Sequence, residues 1–246
     1  MPQFPFKYFN KNQVGRDFVV GDLHGMFSLL ESQLDTLDFD PEVDRLFSVG
    51  DLIDRGPESH RVLEFLDKPW FHSIKGNHEM MLIEARHRKT NYRSWIENNG
   101  GEWWQDINPT LQEEIRERLQ KLSVAFEVSC DSGQIGIVHA DVPASLSWQK
   151  LVHQIHFDEE VRDYLMWSRN RYKYIQSTGE TEAVEGIDLV IFGHTPISKP
   201  LHVANFYFID TGAYFVQEED LGHLTILQIH PHIEVHQYPQ PLGTTE

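Results

Sequence analysis

Short apolar runs, each closed by a glycine, recur along the first eighty positions of the chain. Phe18-Val19-Val20 ends at Gly21, Leu46-Phe47-Ser48-Val49 at Gly50, and Phe71 to Lys75 at Gly76. Brief continuous runs of this kind suit strands buried on both faces. Between them the period changes. Met26, Leu30, Leu34 and Leu37 fall at helical spacing and predict an amphipathic helix over 26–37. A polar turn from Asp38 to Asp44 follows. Val62, Leu63, Phe65 and Leu66 predict a helix that stops before Pro69, and a third helix runs from Met80 to Arg88. Asp22, Asp51 and Asn77 stand 29 and 26 residues apart, close to the length of one βαβ unit. Right-handed crossovers make such strands parallel, so their C-terminal ends converge on one sheet edge, where open α/β folds place ligands.

The rest of the chain is less regular. Residues 92–122 read as helical and polar, with Trp95, Trp103 and Trp104 as anchors of that layer. Ala125–Ser129 and Ile135–His139 predict a hairpin turning at Asp131-Ser132-Gly133. A helix is expected near 158–168, and the polar stretch from Arg169 to Glu185 reads as a mobile surface loop. Strands return at 189–192, 206–209, 224–229 and 233–238, and the tail from Pro239 is expected to fray. No linker interrupts the pattern, so one α/β domain is expected over 1–246, with its core at about 14–238 and peripheral ends.

Charge and cysteine content narrow the function classes. With 38 acidic against 21 basic residues the formal charge is −17, which opposes nucleic-acid binding because no basic stripe can displace counterions. Cys130 is the only cysteine, which rules out an intramolecular disulfide and fits a reducing cytoplasm. No apolar run approaches the ~20 residues needed to cross a bilayer, and Met1 to Asn12 has no export-type apolar stretch.

Five polar clusters each follow an apolar run. They are Gly21-Asp22-Leu23-His24-Gly25, Gly50-Asp51-Leu52-Ile53-Asp54-Arg55-Gly56, Gly76-Asn77-His78-Glu79, His139-Ala140-Asp141 and Gly193-His194-Thr195. One Gly-Asp turn alone is an ordinary structural turn; five such clusters in one chain describe a metal site. In extended chain residues i and i+2 point the same way, so Asp22 and His24 can ligate one ion. Asp51 repeats that position one unit later and can bridge two ions, while Asn77, His139 and His194 can complete a second shell. Imidazoles, carboxylates and an amide without thiolate favour Mn²⁺, Fe or Zn²⁺ over Ca²⁺. Two such ions ~3.5–4 Å apart suit hydrolysis of a phosphate ester.

These clusters resemble the phosphoprotein phosphatase family, in its bacterial and phage branch typified by the bacteriophage lambda enzyme. The resemblance runs from about Phe18 to Ile229. It includes Pro69-Trp70-Phe71, Trp167-Ser168-Arg169, Phe192-Gly193-His194-Thr195-Pro196 and Ile209-Asp210-Thr211-Gly212-Ala213. It implies a metallophosphoesterase-type central β-sandwich flanked by helices, with two divalent ions, Mn²⁺ first, at the sheet edge. Asp22, His24 and Asp51 would hold one ion, and Asp51, Asn77, His139 and His194 the other. His78 matches the general acid, Asp54 the carboxylate that orients it, and Arg55 and Arg169 the arginines that grip phosphate. Arg162, Arg171 and Arg93 are weaker candidates for that grip. Glu79 is expected to support a helix start, and Asp141 to lie behind the ligands or to face the substrate.

The implied activity is serine/threonine phosphoprotein hydrolysis, extending to phosphotyrosine, by direct attack of a metal-bound hydroxide without a phosphoenzyme. Phosphoproteins or phosphopeptides would be the partners; the oligomeric state is left open. A dinucleoside polyphosphate hydrolase is the alternative, since related enzymes share the metal motifs. A DNA nuclease on the same fold is opposed by the charge. A non-catalytic metal-stabilised binder would be expected to lack His78, Asp54 or Arg55, and all three are present. His230, His232 and His236, like His60, His72, His87, His153, His156, His202 and His223, are expected to be surface histidines.

Overall fold

Val19 and Val20 point in opposite directions, and each meets a different core. The computed structural model, which describes residues 5–215, 218 and 220–239, stacks two mixed sheets face to face. One sheet holds β2 (Asp17–Val20), β3 (Arg45–Ser48), β4 (Phe71–Ser73), β10 (His223–His230) and β11 (Glu234–Pro239), in the order β11-β10-β2-β3-β4. The other holds β1 (Phe6–Phe9), β5 (Ala125–Cys130), β6 (Gly133–Val138), β7 (Leu189–Phe192), β8 (Leu201–Val203) and β9 (Phe206–Phe208), in the order β1-β5-β6-β7-β9-β8. Val19, Phe47, Phe126, Ile137, Ile191 and Leu227 fill the layer between the sheets.

The alternate positions face helices. Phe18, Val20 and Leu46 pack with α1 (Phe27–Thr36), α2 (Val62–Leu66), α3 (Asn77–Glu84), α4 (Lys89–Asn98) and α5 (Pro109–Gln120). Val138, Val190 and Phe192 pack with α6 (Trp148–Gln154), α7 (Glu159–Trp167) and α8 (Asn170–Thr178). Burial on both faces is why these strands read as unbroken apolar runs. The result is a helix–sheet–sheet–helix domain, the flanked β-sandwich that the resemblance implies.

β2, β3 and β4 are mutually parallel, as are β6 and β7. The C-terminal ends of both sets lie along one edge of the sandwich. There Gly193 N–H donates to the His139 carbonyl at 2.8 Å within one sheet, and His139 Nδ1, 2.8 Å from the Val49 carbonyl, ties that sheet to the other.

Several expectations need correction. Residues 170–178 form α8 and not a mobile loop: Ile175 is buried, and the guanidinium of buried Arg171 meets Asp141 at 3.0 Å. A polar helix with few apolar contacts leaves little periodic signal, and Gly179, at φ 82°, ends it in the left-handed conformation. The third helix starts at Asn77 and ends at Glu84, earlier at both ends than the apolar spacing suggested. β1, α6 and β8 were not foreseen. β1 is a sheet edge whose Phe9 enters the inter-sheet core, so the N-terminal segment is not merely peripheral. His230 is buried beside Asp131, and His72 is half-buried against the Phe9 and Phe47 rings. Burial, with the Lys7 and Arg45 charges, pushes His72 down to about 4. The tail beyond Pro239 lies outside the described residues. No helix among the described residues is long and apolar enough to cross a membrane.

Candidate active site and metal centre

Each of the five clusters sits on a turn just past a strand end, and several of those turns hold side chains in the left-handed region. His24 (φ 44°), Asp51 (50°), Asp54 (73°), Arg55 (71°) and His194 (66°) all have positive φ. Among the described non-glycine residues only Asp38 and Ala204 share that conformation. Such backbone costs on the order of 1–3 kcal/mol per residue and persists where surrounding contacts over-determine it. Here those contacts are dense. Leu23 and His24 N–H both donate to the Asp51 carbonyl, and Gly25 N–H to that of Leu52. The carboxylate of Glu79, at the start of α3, accepts from the backbone N–H groups of Gly76 (2.8 Å), Asp51 (3.0 Å) and Leu52 (2.8 Å). Glu79 thus caps its helix and also pins the second cluster to the third. Burial, with the Asp51 charge, pushes it up to about 7.

The turns bring the donor atoms together. His24, Asp51 and His78 offer ligand atoms within 4.8 Å of one another, and so do Asp51, His139 and His194. Asp51 belongs to both sets, with Oδ2 3.7 Å from His24 Nε2 and 3.4 Å from His139 Nε2. Asn77 Oδ1 joins the second set, 2.9 Å from His139 Nε2 and 2.7 Å from His194 Nδ1. Asp22 lies in neither set. Its carboxylate accepts the His194 N–H at 3.0 and 3.2 Å, and it feels the charges of Asp210 and Asp51.

Burial dominates the electrostatics. It drives Asp22 well above the usual carboxylate range, helped by Asp210 and Asp51, and drives His24 well below the usual imidazole range, helped by His78. Burial also pushes Asp51 up, but the His139, His78 and His24 imidazoles overcome it and hold Asp51 well below its ordinary value. His194 falls to about 2 through burial and the His139 and Arg169 charges.

The residues fit a pair of divalent cations. His24 Nδ1 lies 2.9 Å from the Ile53 carbonyl and His139 Nδ1 2.8 Å from that of Val49. A neutral imidazole that donates from Nδ1 presents the Nε2 lone pair, the arrangement metal-ligating histidines take when a carbonyl fixes the tautomer. Both Nε2 atoms face Asp51. The site is also cut to size by glycine. A Cβ on Gly76 would stand 2.2 Å from Asp51 Oδ1, and one on Gly193 2.0 Å from Asp22 Oδ1. Gly193→Ala is therefore expected to displace Asp22, destabilising the fold by about 1–3 kcal/mol and weakening metal affinity. Urea unfolding and equilibrium metal titration check both effects.

The remaining candidates surround the donors. Buried His78 meets fully buried Asp54 at 2.7 Å, Nδ1 to Oδ2, and its backbone N–H donates to Asp51 Oδ1 at 2.9 Å. Arg55 and Arg169 are exposed at the rim. Arg55 Nη1 lies 2.9 Å from His24 Nε2 with its guanidinium over the Tyr214 ring, and Arg169 Nη2 donates to the His194 carbonyl at 3.1 Å. The weaker arginines point elsewhere: Arg171 to Asp141, Arg162 to the Ile155 carbonyl and Arg93 to Glu97. Asp141 accepts from Arg171, Ser168 and Tyr164, which ties α7 and α8 to the fourth cluster.

Sequence reasoning missed two contributions. Asp210 is buried within the electrostatic reach of Asp22, and burial pushes it up to about 6; the Ile209–Ala213 stretch was the available signal. Trp95 and Trp103 do more than anchor a layer, because both indole N–H groups reach Asp54.

Comparison with known proteins agrees with this geometry. The profile of the Calcineurin-like phosphoesterase family matches residues 18–198. Serine/threonine-protein phosphatase 2 of Escherichia coli (strain K12) is 38% identical over 217 residues, covering 87% of this chain and 94% of that protein. The asymmetrical bis(5'-nucleosyl)-tetraphosphatase PrpE of Geobacillus thermodenitrificans (strain NG80-2) is 25% identical over 224 residues, covering 80% and 85%. A solved protein serine/threonine phosphatase from Saccharomyces cerevisiae superposes with a TM-score of 0.65 at 11% identity, covering 99% of this chain and 86% of that one. That last likeness establishes the fold alone. The motifs, the fold and the match over most of its length together show that the chain belongs to the calcineurin-like phosphoesterases, in their bacterial serine/threonine phosphatase branch.

Proposed function

We propose that this metallophosphoesterase is a protein serine/threonine phosphatase that hydrolyses phosphomonoesters on proteins or peptides, phosphotyrosine among them. One observation carries the chemistry: Asp51 is shared between two donor sets, with the His78–Asp54 pair beside it. Asp22, His24 and Asp51 would hold one ion, and Asp51, Asn77, His139 and His194 the other. Mixed nitrogen and oxygen donors without thiolate suit Mn²⁺, with Fe or Zn²⁺ as substitutes. Bound there, the ions would supply Lewis acidity toward the phosphoryl oxygens and an activated water.

The chain's own side chains do the rest. Arg55 and Arg169 grip phosphoryl oxygens from the rim, a task suited to the planar guanidinium fork. His78 gives a proton to the departing oxygen, and Asp54 holds its ring. No thiol nucleophile serves the reaction: Cys130 is packed in the inter-sheet core, and burial pushes it up to about 12. A single buried cysteine also supports a cytoplasmic home.

Identity of 38% over 217 residues to a relative named a serine/threonine-protein phosphatase, against 25% over 224 residues to a tetraphosphatase, supports the phosphoprotein reading. The metal-loaded protein should turn over a phosphoserine peptide and p-nitrophenyl phosphate far faster than a diadenosine tetraphosphate. A preference for the dinucleotide by orders of magnitude would sink the assignment.

A further inference from the structure

The carboxylate of Asp54 is enclosed by three nitrogen donors, two of them from a segment outside the five clusters. His78 Nδ1 and Trp95 Nε1 each lie 2.7 Å from Oδ2, and Trp103 Nε1 lies 2.8 Å from Oδ1. Trp95 belongs to α4 and is buried; half-buried Trp103 lies on the 3₁₀ turn Glu102–Asp106. The connection between them is moulded onto the second cluster. The Gly100 carbonyl accepts the Arg55 N–H at 3.0 Å. A Cβ on Gly100, whose φ is 78°, would stand 2.6 Å from Arg55 N, and one on Gly101 2.5 Å from the Trp95 ring. The segment therefore fits closely over the Asp54–Arg55 turn.

An indole N–H donates and never accepts. Two indole N–H groups donating to Asp54 stabilise its carboxylate form, so the hydrogen between Asp54 and His78 is placed on His78 Nδ1. The transferable proton is then the one on Nε2. We propose that Trp95 and Trp103 are positioning residues for proton delivery: they lock the Asp54 carboxylate so that His78 presents Nε2–H to the leaving oxygen. As a water oxygen bonds phosphorus and the ester P–O bond breaks, that bond's electron pair stays on the serine oxygen, which takes the proton. The imidazole is left neutral with Nδ1–H still on Asp54. The inference rests on the reading of His78 as the acid, and its test separates the two.

The test compares kcat on a phosphoserine peptide, whose alkoxide must be protonated, with kcat on p-nitrophenyl phosphate, whose phenolate can leave unaided. Trp103→Phe keeps an aromatic ring against Trp104 and removes the N–H donor. It should lower kcat on the peptide about 10-fold, the lower end for losing a group that orients a site residue. KM, ions bound per chain and kcat on p-nitrophenyl phosphate should stay essentially unchanged. Placed in a His78→Asn background, Trp103→Phe should add nothing, because the pair acts as one unit. The ratio of the two activities is independent of the fraction of enzyme folded. With both tryptophans intact, the Trp103 indole N–H resonance should move upfield on Asp54→Asn. Equal losses on both substrates, full additivity with His78→Asn, or an unmoved indole resonance would overturn the inference while leaving His78 as the acid. A His78→Asn variant with no leaving-group selectivity would overturn both.

Discussion

Asp51→Asn is expected to lower kcat on a phosphoserine peptide by at least about 10³-fold, the scale of losing a preorganised electrostatic stabiliser. The number of ions bound per chain should fall below two. The substitution keeps the size of the side chain and removes its charge. Asp51 Oδ2 stands 3.7 Å from His24 Nε2 and 3.4 Å from His139 Nε2, and its Oδ1 accepts the His78 N–H. An asparagine satisfies that backbone bond with its carbonyl oxygen, which turns its NH₂ toward two imidazole nitrogens that should be presenting lone pairs to a cation. Both donor sets lose their only shared anionic ligand. The fold should survive, because Glu79 holds the surrounding backbone and asparagine keeps the bond to the His78 N–H. Circular dichroism and elemental analysis of the purified variant check the two halves of this expectation. An active variant with two ions per chain would remove Asp51 from the bridging position.

The second large effect belongs to His78→Asn, which should cost about 10²–10⁴-fold in kcat on the peptide while the ion count stays at two. His78 is close enough to His24 and Asp51 to be read as a ligand itself, and the metal content separates the readings. As a ligand, its loss would lower metal occupancy and depress both substrates together. As an acid, its loss should leave occupancy intact and spare p-nitrophenyl phosphate, since the need for protonation grows with the basicity of the leaving oxygen. The 2.7 Å contact between Nδ1 and Asp54 favours the acid, because it commits one ring nitrogen and leaves the other to face the substrate. Full activity of His78→Asn on the phosphoserine peptide would end that assignment.

The parallel strands of the first half were legible because their side chains are buried on both faces. Phe18, Val19 and Val20 are apolar because each meets a packed layer, and the glycine that follows marks where the turn must bend sharply. The helix α8 was not legible. Its hold on the protein is a buried ion pair between Arg171 and Asp141 and apolar contacts from Ile175 and half-buried Tyr172, too few to produce a period. β1 escaped for a related reason, as a short edge strand with two exposed positions. At the site, the proposed metal ligands with His78, Asp54 and Arg55 lie in recognisable clusters, since their spacing follows the strand ends. The groups that hold them do not. Trp95 and Trp103 stand 41 and 49 positions from Asp54 and approach it only because α4 and the turn after it fold back over the cluster. Tryptophan at such positions reads as core, and half of its role here is core packing. The N–H is the part that sequence pattern cannot direct.

Two ions joined by Asp51 are proposed to make this chain a phosphatase. Stepwise Mn²⁺ titration of the metal-stripped protein tests that proposal most directly, with binding by equilibrium dialysis and turnover of a phosphoserine peptide followed on the same samples. Binding should saturate at two ions per chain, and activity should rise with occupancy of the second. Full activity at one ion per chain, or two bound ions with no turnover of any phosphomonoester, would contradict it.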